Sequence, residues 1–258
     1  MKAIPMLFQT ELIRALLEGR KTVTRRPVDK KKHEFIRFMG SSDKECSNLE
    51  FLGLNYAKWK DDNDKVRGPE YLVYCTEYPE EGIVPIGQGP AQKGDLIYVR
   101  ETFMADPDTD HDSWNDHELS YFEWAGCDSS PQFLPDALKT TEHCIYKANG
   151  PIDGKWIPSI HMPRWASRLT LKVTDVRIEQ LKDITEEQAK NEGMAPGFTN
   201  EFGKCPVVPN YRDGFFRTWN NIYNNWDQNP YVWVIEFEVI HKNVDLVISE
   251  MEASNETK

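Results

Sequence analysis

Lys21 and Thr24 stand three residues apart in Gly19-Arg20-Lys21-Thr22-Val23-Thr24-Arg25-Arg26. A helical stretch ends just before them and a β-branched stretch begins with them. Arg20, Arg25 and Arg26 raise the local positive potential, which depresses a lysine pKa and suits an amine acting as a base. A threonine hydroxyl is a poor nucleophile unless such a base sits beside it. The bland reading of the same residues is a solvated basic turn.

Glu192 is the third residue with chemical potential. It falls in the last turn of a short helix, where the macrodipole disfavours a negative charge, and that placement suits a proton donor. An ordinary surface glutamate at a frayed end is the competing reading. His161-Met162-Pro163-Arg164-Trp165-Ala166-Ser167-Arg168 leads into a strand. Arg164 beside Trp165 suits stacking on a base, while Trp165 as core packing and Arg168 as a strand-end charge explain the segment equally well.

Metal chemistry is not expected. Asp106, Asp108, Asp110 and Asp112 alternate as in a calcium loop, but the sixth position is His111 where glycine is required and the twelfth is His117 rather than Glu. His143-Cys144 has no partner pair at metal-ligand spacing. Cys46, Cys75, Cys127, Cys144 and Cys205 are scattered, odd in number and form no CxxC. They read as reduced thiols, with neither a disulfide frame nor a zinc knuckle. A Gly-rich phosphate loop, a GxSxG elbow and an HExxH are absent, so no cofactor is expected.

The elements that must position these residues follow from periodicity. Ile4–Phe8 is a predicted strand. Thr10 caps a predicted helix carrying Leu12, Ile13, Leu16 and Leu17, and Gly19 ends it. Thr22–Arg26 alternates until Pro27. Tyr71–Cys75, Leu96–Phe103 and Ile145–Ala148 are further predicted strands. Leu169, Leu171 and Val173 alternate with polar residues, and Val176 and Ile178 continue the run past a possible bulge at Thr174-Asp175. Thr185-Glu186-Glu187-Gln188 is a capping box that starts a helix ending at Glu192-Gly193. Phe215, Phe216, Trp219, Ile222, Tyr223 and Trp226 keep a helical period. Trp233, Ile235, Phe237 and Val239 form the last predicted strand, and residues 243–258 read as a flexible acidic tail. Several strands, short helices and no βαβ rhythm indicate an α+β fold with a small barrel.

The chain has 258 residues and a net charge of −11. From Met104 to Glu142 ten acidic residues face one Lys, giving −9 and leaving about −2 for the rest. From Arg14 to Lys32 eight basic residues face two acidic ones, giving +6. A small basic focus on an acidic body favours a small ligand or a short nucleic-acid strand over duplex binding. No apolar run approaches the roughly 20 residues that a bilayer needs. The N-terminus lacks the pattern of a signal peptide. The expected partners therefore exclude a membrane, and the expected location is the cytoplasm.

In order, the motifs Gly19–Thr24, Gly94-Asp95-Leu96-Ile97-Tyr98-Val99-Arg100, the strand Leu169–Ile178, Ile184–Met194 and Val232-Trp233-Val234-Ile235-Glu236-Phe237 resemble the ASCH family, a branch of the PUA-like superfamily. The resemblance covers about half the chain. It implies a PUA-like β-barrel with short flanking helices around a cleft suited to nucleobases. It implies one domain over residues 1–242, with two inserted segments at about 28–92 and 104–165. Compact members hydrolyse N4-acetylcytidine with a Lys, a Thr and a Glu, and those positions match Lys21, Thr24 and Glu192. Longer members with segments like Ile160–Arg168 and Asn229–Val234 are often encoded by phages and prophages. Arg20, Arg26, Arg100, Arg164, Trp165 and Arg168 are the expected substrate contacts.

Three functions follow. The first is a metal-independent amidohydrolase acting on an N4-acylated cytosine nucleoside. The second is a module that binds or cleaves short single-stranded RNA. The third is a non-catalytic phage assembly or interaction protein.

Overall fold

The computed structural model describes residues 1–30, 49–60, 63–75, 83–105, 139–195 and 210–256. In chain order the elements are β1 (Ala3–Leu7), α1 (Thr10–Leu17), β2 (Val23–Pro27), β3 (Leu49–Asn55), β4 (Trp59–Lys60), β5 (Val66–Arg67), β6 (Glu70–Cys75), β7 (Ile83–Gly87) and β8 (Leu96–Arg100). There follow β9 (Phe103–Ala105), β10 (Cys144–Tyr146), β11 (Thr170–Gln180), α2 (Glu186–Asn191), α3 (Tyr211–Ile222), β12 (Tyr231–Ile240) and α4 (Val244–Glu256). The fold is mixed α+β. Its five-stranded sheet has the order β1-β8-β11-β12-β2. The expected barrel is not there: among the described residues no sheet closes on itself.

The chain divides into two compact units, one of residues 1–19, 95–172 and 238–258, the other of residues 20–94 and 173–237. In the first, β1 runs parallel to β8, from Ala3 opposite Leu96 to Leu7 opposite Arg100. The start of β11 pairs antiparallel with β8. Leu12, Ile13, Ala15 and Leu16 bury one face of α1. Thr10 is the first helical residue rather than the cap, a place taken by Gln9 without a side-chain bond. The predicted strand Leu96–Phe103 is two strands, because Glu101 and Thr102 leave the ladder. Of residues 243–258, expected as a tail, Val244–Glu256 form α4 instead, and residues 257–258 lie outside the described residues. Val244 and Val247 pack on Leu96, and the Asn243 amide donates to the carbonyls of Arg164, Trp165 and Ser167. Those contacts pin the start of the helix, and apolar burial then outweighs its acidic composition.

In the second unit β2 and β12 are antiparallel, with Thr24 opposite Ile235 and Arg26 opposite Trp233. Residues 231–235 are all buried, so β12 is covered on both faces. Much of the first expected insertion is β-structure: β3, β6 and β7 form one sheet, and β4 pairs with β5. The Tyr71 ring of β6 packs on Trp233 at 5.1 Å. The second expected insertion falls mostly at residues 106–138, outside the described residues.

Two helices of this unit set the site. The capping box of α2 is formed, with Gln188 N–H donating to the Thr185 hydroxyl and Thr185 N–H donating to the Gln188 side chain. Asn210 caps α3 by accepting from Asp213 N–H. Glu186 of α2 also accepts from the N–H groups of Tyr211 and Arg212, a carboxylate where the α3 dipole favours one. Gly214 lets α3 come close: a Cβ there would stand 2.3 Å from the Ala195 carbonyl oxygen. Phe215 and Trp219 are buried as expected, but Ile222 is 40% exposed and lies off the buried face.

Candidate functional site

Gly193 adopts φ 81° just past α2, a left-handed conformation that glycine takes without strain. The turn brings the end of α2 against the start of β2. Thr22 N–H donates to the Asn191 carbonyl at 2.9 Å, and Lys21 and Glu192 form an isolated antiparallel bridge. The Arg20 guanidinium donates to the Gly193 carbonyl at 3.0 Å.

The two side chains meet as their backbones do. Lys21 Nζ lies 2.7 Å from Glu192 Oε2, 2.9 Å from the Glu192 carbonyl oxygen and 2.7 Å from that of Val23. Lys21 is 0% exposed and Glu192 3%. Oε1 of Glu192 accepts from Arg25 at 3.2 Å. Two cations thus offset what the helix C-terminus would cost a carboxylate. Burial pushes the Lys21 amine below its ordinary range. Glu192 opposes that push, and Arg26 and Arg25 add to it. The direction matches the sequence reading, but burial rather than the arginines is its main cause.

Arg25 opens a line of alternating charge. Its guanidinium reaches Glu179 at 2.9 Å. Glu179 accepts from Arg177 at 2.6 Å, and Arg177 also donates to Glu236 at 2.5 Å and Asp175 at 3.1 Å. The two-residue period of β11 puts Asp175, Arg177 and Glu179 on one face. The line runs from buried Lys21 to Glu236, whose side chain is 45% exposed. Three cations meet four carboxylates, so Lys21 and Arg25 of the basic focus are each compensated. Burial pushes the Glu179 carboxyl up, but the Arg177 and Arg25 guanidiniums outweigh it and hold it below the usual range.

Thr24 is buried, at 2% exposure. It follows Val23 and precedes Arg25 in the regular part of β2. Alternation therefore turns its side chain to the face opposite the one from which Arg25 meets Glu192. Arg26 shares the Thr24 face and is half-buried.

An open hollow borders the Lys21–Glu192 pair. It is lined by Thr22, Val23, Arg177, Gln188, Asn191, Glu236 and Phe237. Thr22 adjoins Lys21 in the chain and Asn191 adjoins Glu192. Hydroxyl, amide and carboxylate groups at this rim can exchange hydrogen bonds with an uncharged polar ring.

The remaining expected contacts belong to the first unit and are engaged there. Arg100 donates to the Met162 carbonyl at 2.9 Å and to that of Ile160. Arg164 pairs with Asp245 and lies over the Tyr98 ring at 5.8 Å. Trp165 packs on the cluster of Phe103, Tyr146 and Met162. Arg168 grips both oxygens of Glu101 at 2.9 and 3.0 Å and stacks on Tyr146 at 4.0 Å. Burial pushes the Glu101 carboxyl up against the pull of Arg168.

Among the described residues no three His, Cys, Asp or Glu side chains are placed to hold a metal ion, and the buried Cys144 is in no disulfide there. The aspartates of the calcium-like stretch lie outside the described residues. No described helix is long and apolar enough to cross a membrane.

Arg25, Glu179, Arg177 and Glu236 were not singled out from the sequence. A strand period counted back from Arg25 through Val23 to Lys21 was the available signal for the first of them. No family model matches the chain, and no curated protein or solved structure matches it.

Proposed function

We propose that this chain hydrolyses the amide bond of an N4-acylated cytosine nucleoside or a related acylated nucleobase. The observation that carries the reading is the 2.7 Å contact between Lys21 Nζ and Glu192 Oε2 in a buried setting. One proton moved across that contact gives a neutral amine and a neutral carboxylic acid, the base and acid that amide cleavage needs. The motif order that resembles the ASCH family supports the same three residues.

In this reading the Lys21 amine takes the hydroxyl proton of Thr24 as its oxygen bonds to the acyl carbon. The Glu192 proton goes to the exocyclic nitrogen as the C–N bond breaks. Lys21 returns to ammonium, Glu192 to carboxylate, and the acyl group rests on Thr24 as an ester. One proton then passes again from the Lys21 ammonium to Glu192, and water repeats the sequence: its proton goes to the neutral Lys21 amine, its oxygen to the acyl carbon, and the Glu192 proton to the departing Thr24 oxygen. The step requires the Thr24 hydroxyl to reach Lys21 around the edge of β2. The hollow beside the pair would take the base.

The test is turnover of N4-acetylcytidine and related acylated nucleosides by the wild-type chain and by Glu192→Gln, which keeps the shape and removes the acid. Release of cytidine by the wild type only is expected. Absence of turnover in both would overturn the reading.

One observation favours a second reading. All three protons of a Lys21 ammonium have acceptors within 2.9 Å, as in a structural clamp. A clamp predicts that the hollow binds a nucleoside or the end of a short single strand without changing it.

A further inference from the structure

Arg25 is a buried charge that the proposed reaction leaves without a role. Its side chain is 0% exposed, and a buried guanidinium persists only where carboxylates compensate it. Among the described residues its buried Nε has no hydrogen-bond partner, so its two terminal nitrogens make all of its hydrogen bonds there. The orientation puts one nitrogen on Glu192 and another on Glu179, with the centre of the Phe215 ring 5.9 Å from the guanidinium carbon. Glu192 is thereby held at both oxygens, Oε2 by Lys21 and Oε1 by Arg25. A glutamate carboxyl otherwise turns over a broad, two-fold torsional range.

We infer that Arg25 is the positioning residue of this site: it holds Oε1 of Glu192 so that Oε2 stays on the Lys21 amine, and Glu179, fixed by Arg177, holds Arg25 in turn. The consequence for catalysis rests on the proposed amidohydrolase reading, whereas the consequence for Lys21 itself does not. The charged groups acting on Lys21 are Glu192, Arg26 and Arg25. Those acting on Glu179 are Arg177, Arg25 and Asp183. Loss of Arg25 removes a repulsion on the Lys21 ammonium and leaves the Glu192 charge undivided. Both changes favour the ammonium.

The experiment compares wild type with Arg25→Gln, Arg25→Lys and Glu179→Gln. One readout is kcat and KM for N4-acetylcytidine across pH. The other is the titration midpoint of Lys21 by NMR on chain labelled at the lysine side-chain carbons, which needs no turnover. In Arg25→Gln, kcat is expected to fall about 10²-fold, the scale of a misplaced catalytic group, with KM little changed. Arg25→Lys restores part of the loss, the Lys21 midpoint moves up in Arg25→Gln, and the basic-side requirement of kcat moves up with it. If the wild type turns over and Arg25→Gln keeps its kcat, the inference is overturned and the amidohydrolase reading stands. If the wild type does not turn over, that reading fails and the midpoint decides: an unmoved midpoint in Arg25→Gln overturns the inference, and an upward shift supports it. If Arg25→Gln does not fold, Glu179→Gln decides, and an unchanged kcat and midpoint there overturn the inference.

Discussion

Lys21 and Glu192, 171 residues apart in sequence, share a backbone bridge and a 2.7 Å side-chain contact. The backbone bridge matters as much as the ion pair. It sets the distance between the two Cα atoms, so the long lysine chain folds back onto the carboxylate rather than extending to water. Arg25 then closes the far oxygen of the same carboxylate.

Breaking that pair from one side is expected to be costly. Glu192→Leu leaves Lys21 buried without its carboxylate and should destabilise by about 3–5 kcal/mol. Lys21→Met with Glu192→Leu should recover most of that loss, since an apolar pair of similar volume is often neutral. Denaturant midpoints of the two single variants and the double variant check it, and simple additivity would contradict it.

Thr24 separates catalysis from stability. Thr24→Ser keeps the hydroxyl and should retain turnover, while Thr24→Val should abolish it. Because Thr24 is buried, each change is expected to shift stability by about 1 kcal/mol. Equal activity in both variants would remove Thr24 from the reaction.

Glu179 carries a signed pH effect. Its folded-state pKa is held below the ordinary value of 4.5. The unfolded chain therefore binds more protons in the window just below pH 4.5, and stability falls as pH drops through the folded value. Glu179→Gln should flatten this acid-side loss of Tm while leaving the neutral-pH slope unchanged. An identical acid profile in variant and wild type would contradict it.

The α3 face gives a contrast between two neighbours in the helical period. Trp219 is 3% exposed and Ile222 40%. Trp219→Ala is expected to cost about 3–5 kcal/mol. Ile222→Ala should cost less than about 1 kcal/mol, as exposed positions do. Comparable losses at both positions would show that the face extends further round the helix.

Local rules made much of this legible in the sequence. The capping box at Thr185, the terminating Gly193, the alternation of β12 and the buried side of α1 all follow from spacing over a few residues. Lys21 and Glu192 were legible as separate oddities, a lysine among arginines and a carboxylate at the wrong end of a helix. Their contact was not legible from spacing, because it depends on a bridge between distant segments. Arg25 was hidden for a related reason. In a run of Arg20, Arg25 and Arg26 it looks like surface charge, and only its burial beside Glu179 and Glu192 sets it apart. The barrel was expected from several strands without a βαβ rhythm and from likeness of motifs, neither of which dictates whether the first and last strands of a sheet meet. Residues 243–256 look polar enough to stay unfolded, yet Val244, Val247, Ile248 and Met251 supply an apolar side and Asn243 anchors its start.

The four boundaries between the two units fall after residues 19, 94, 172 and 237, so neither unit is one continuous stretch. Two of those boundaries lie inside β11 and β12, where a single strand passes from one unit to the other. A ribosome making this chain cannot release a finished first unit after 172 residues, because residues 238–258 still belong to it. The second unit likewise waits for its segment beyond residue 173. Both must assemble from contacts distant in sequence, a topology that slows folding and lengthens the exposure of unpaired strands to other chains. By the same token, one proteolytic cut near residue 130 leaves each fragment with parts of both units, so a nicked chain should stay together until it is denatured.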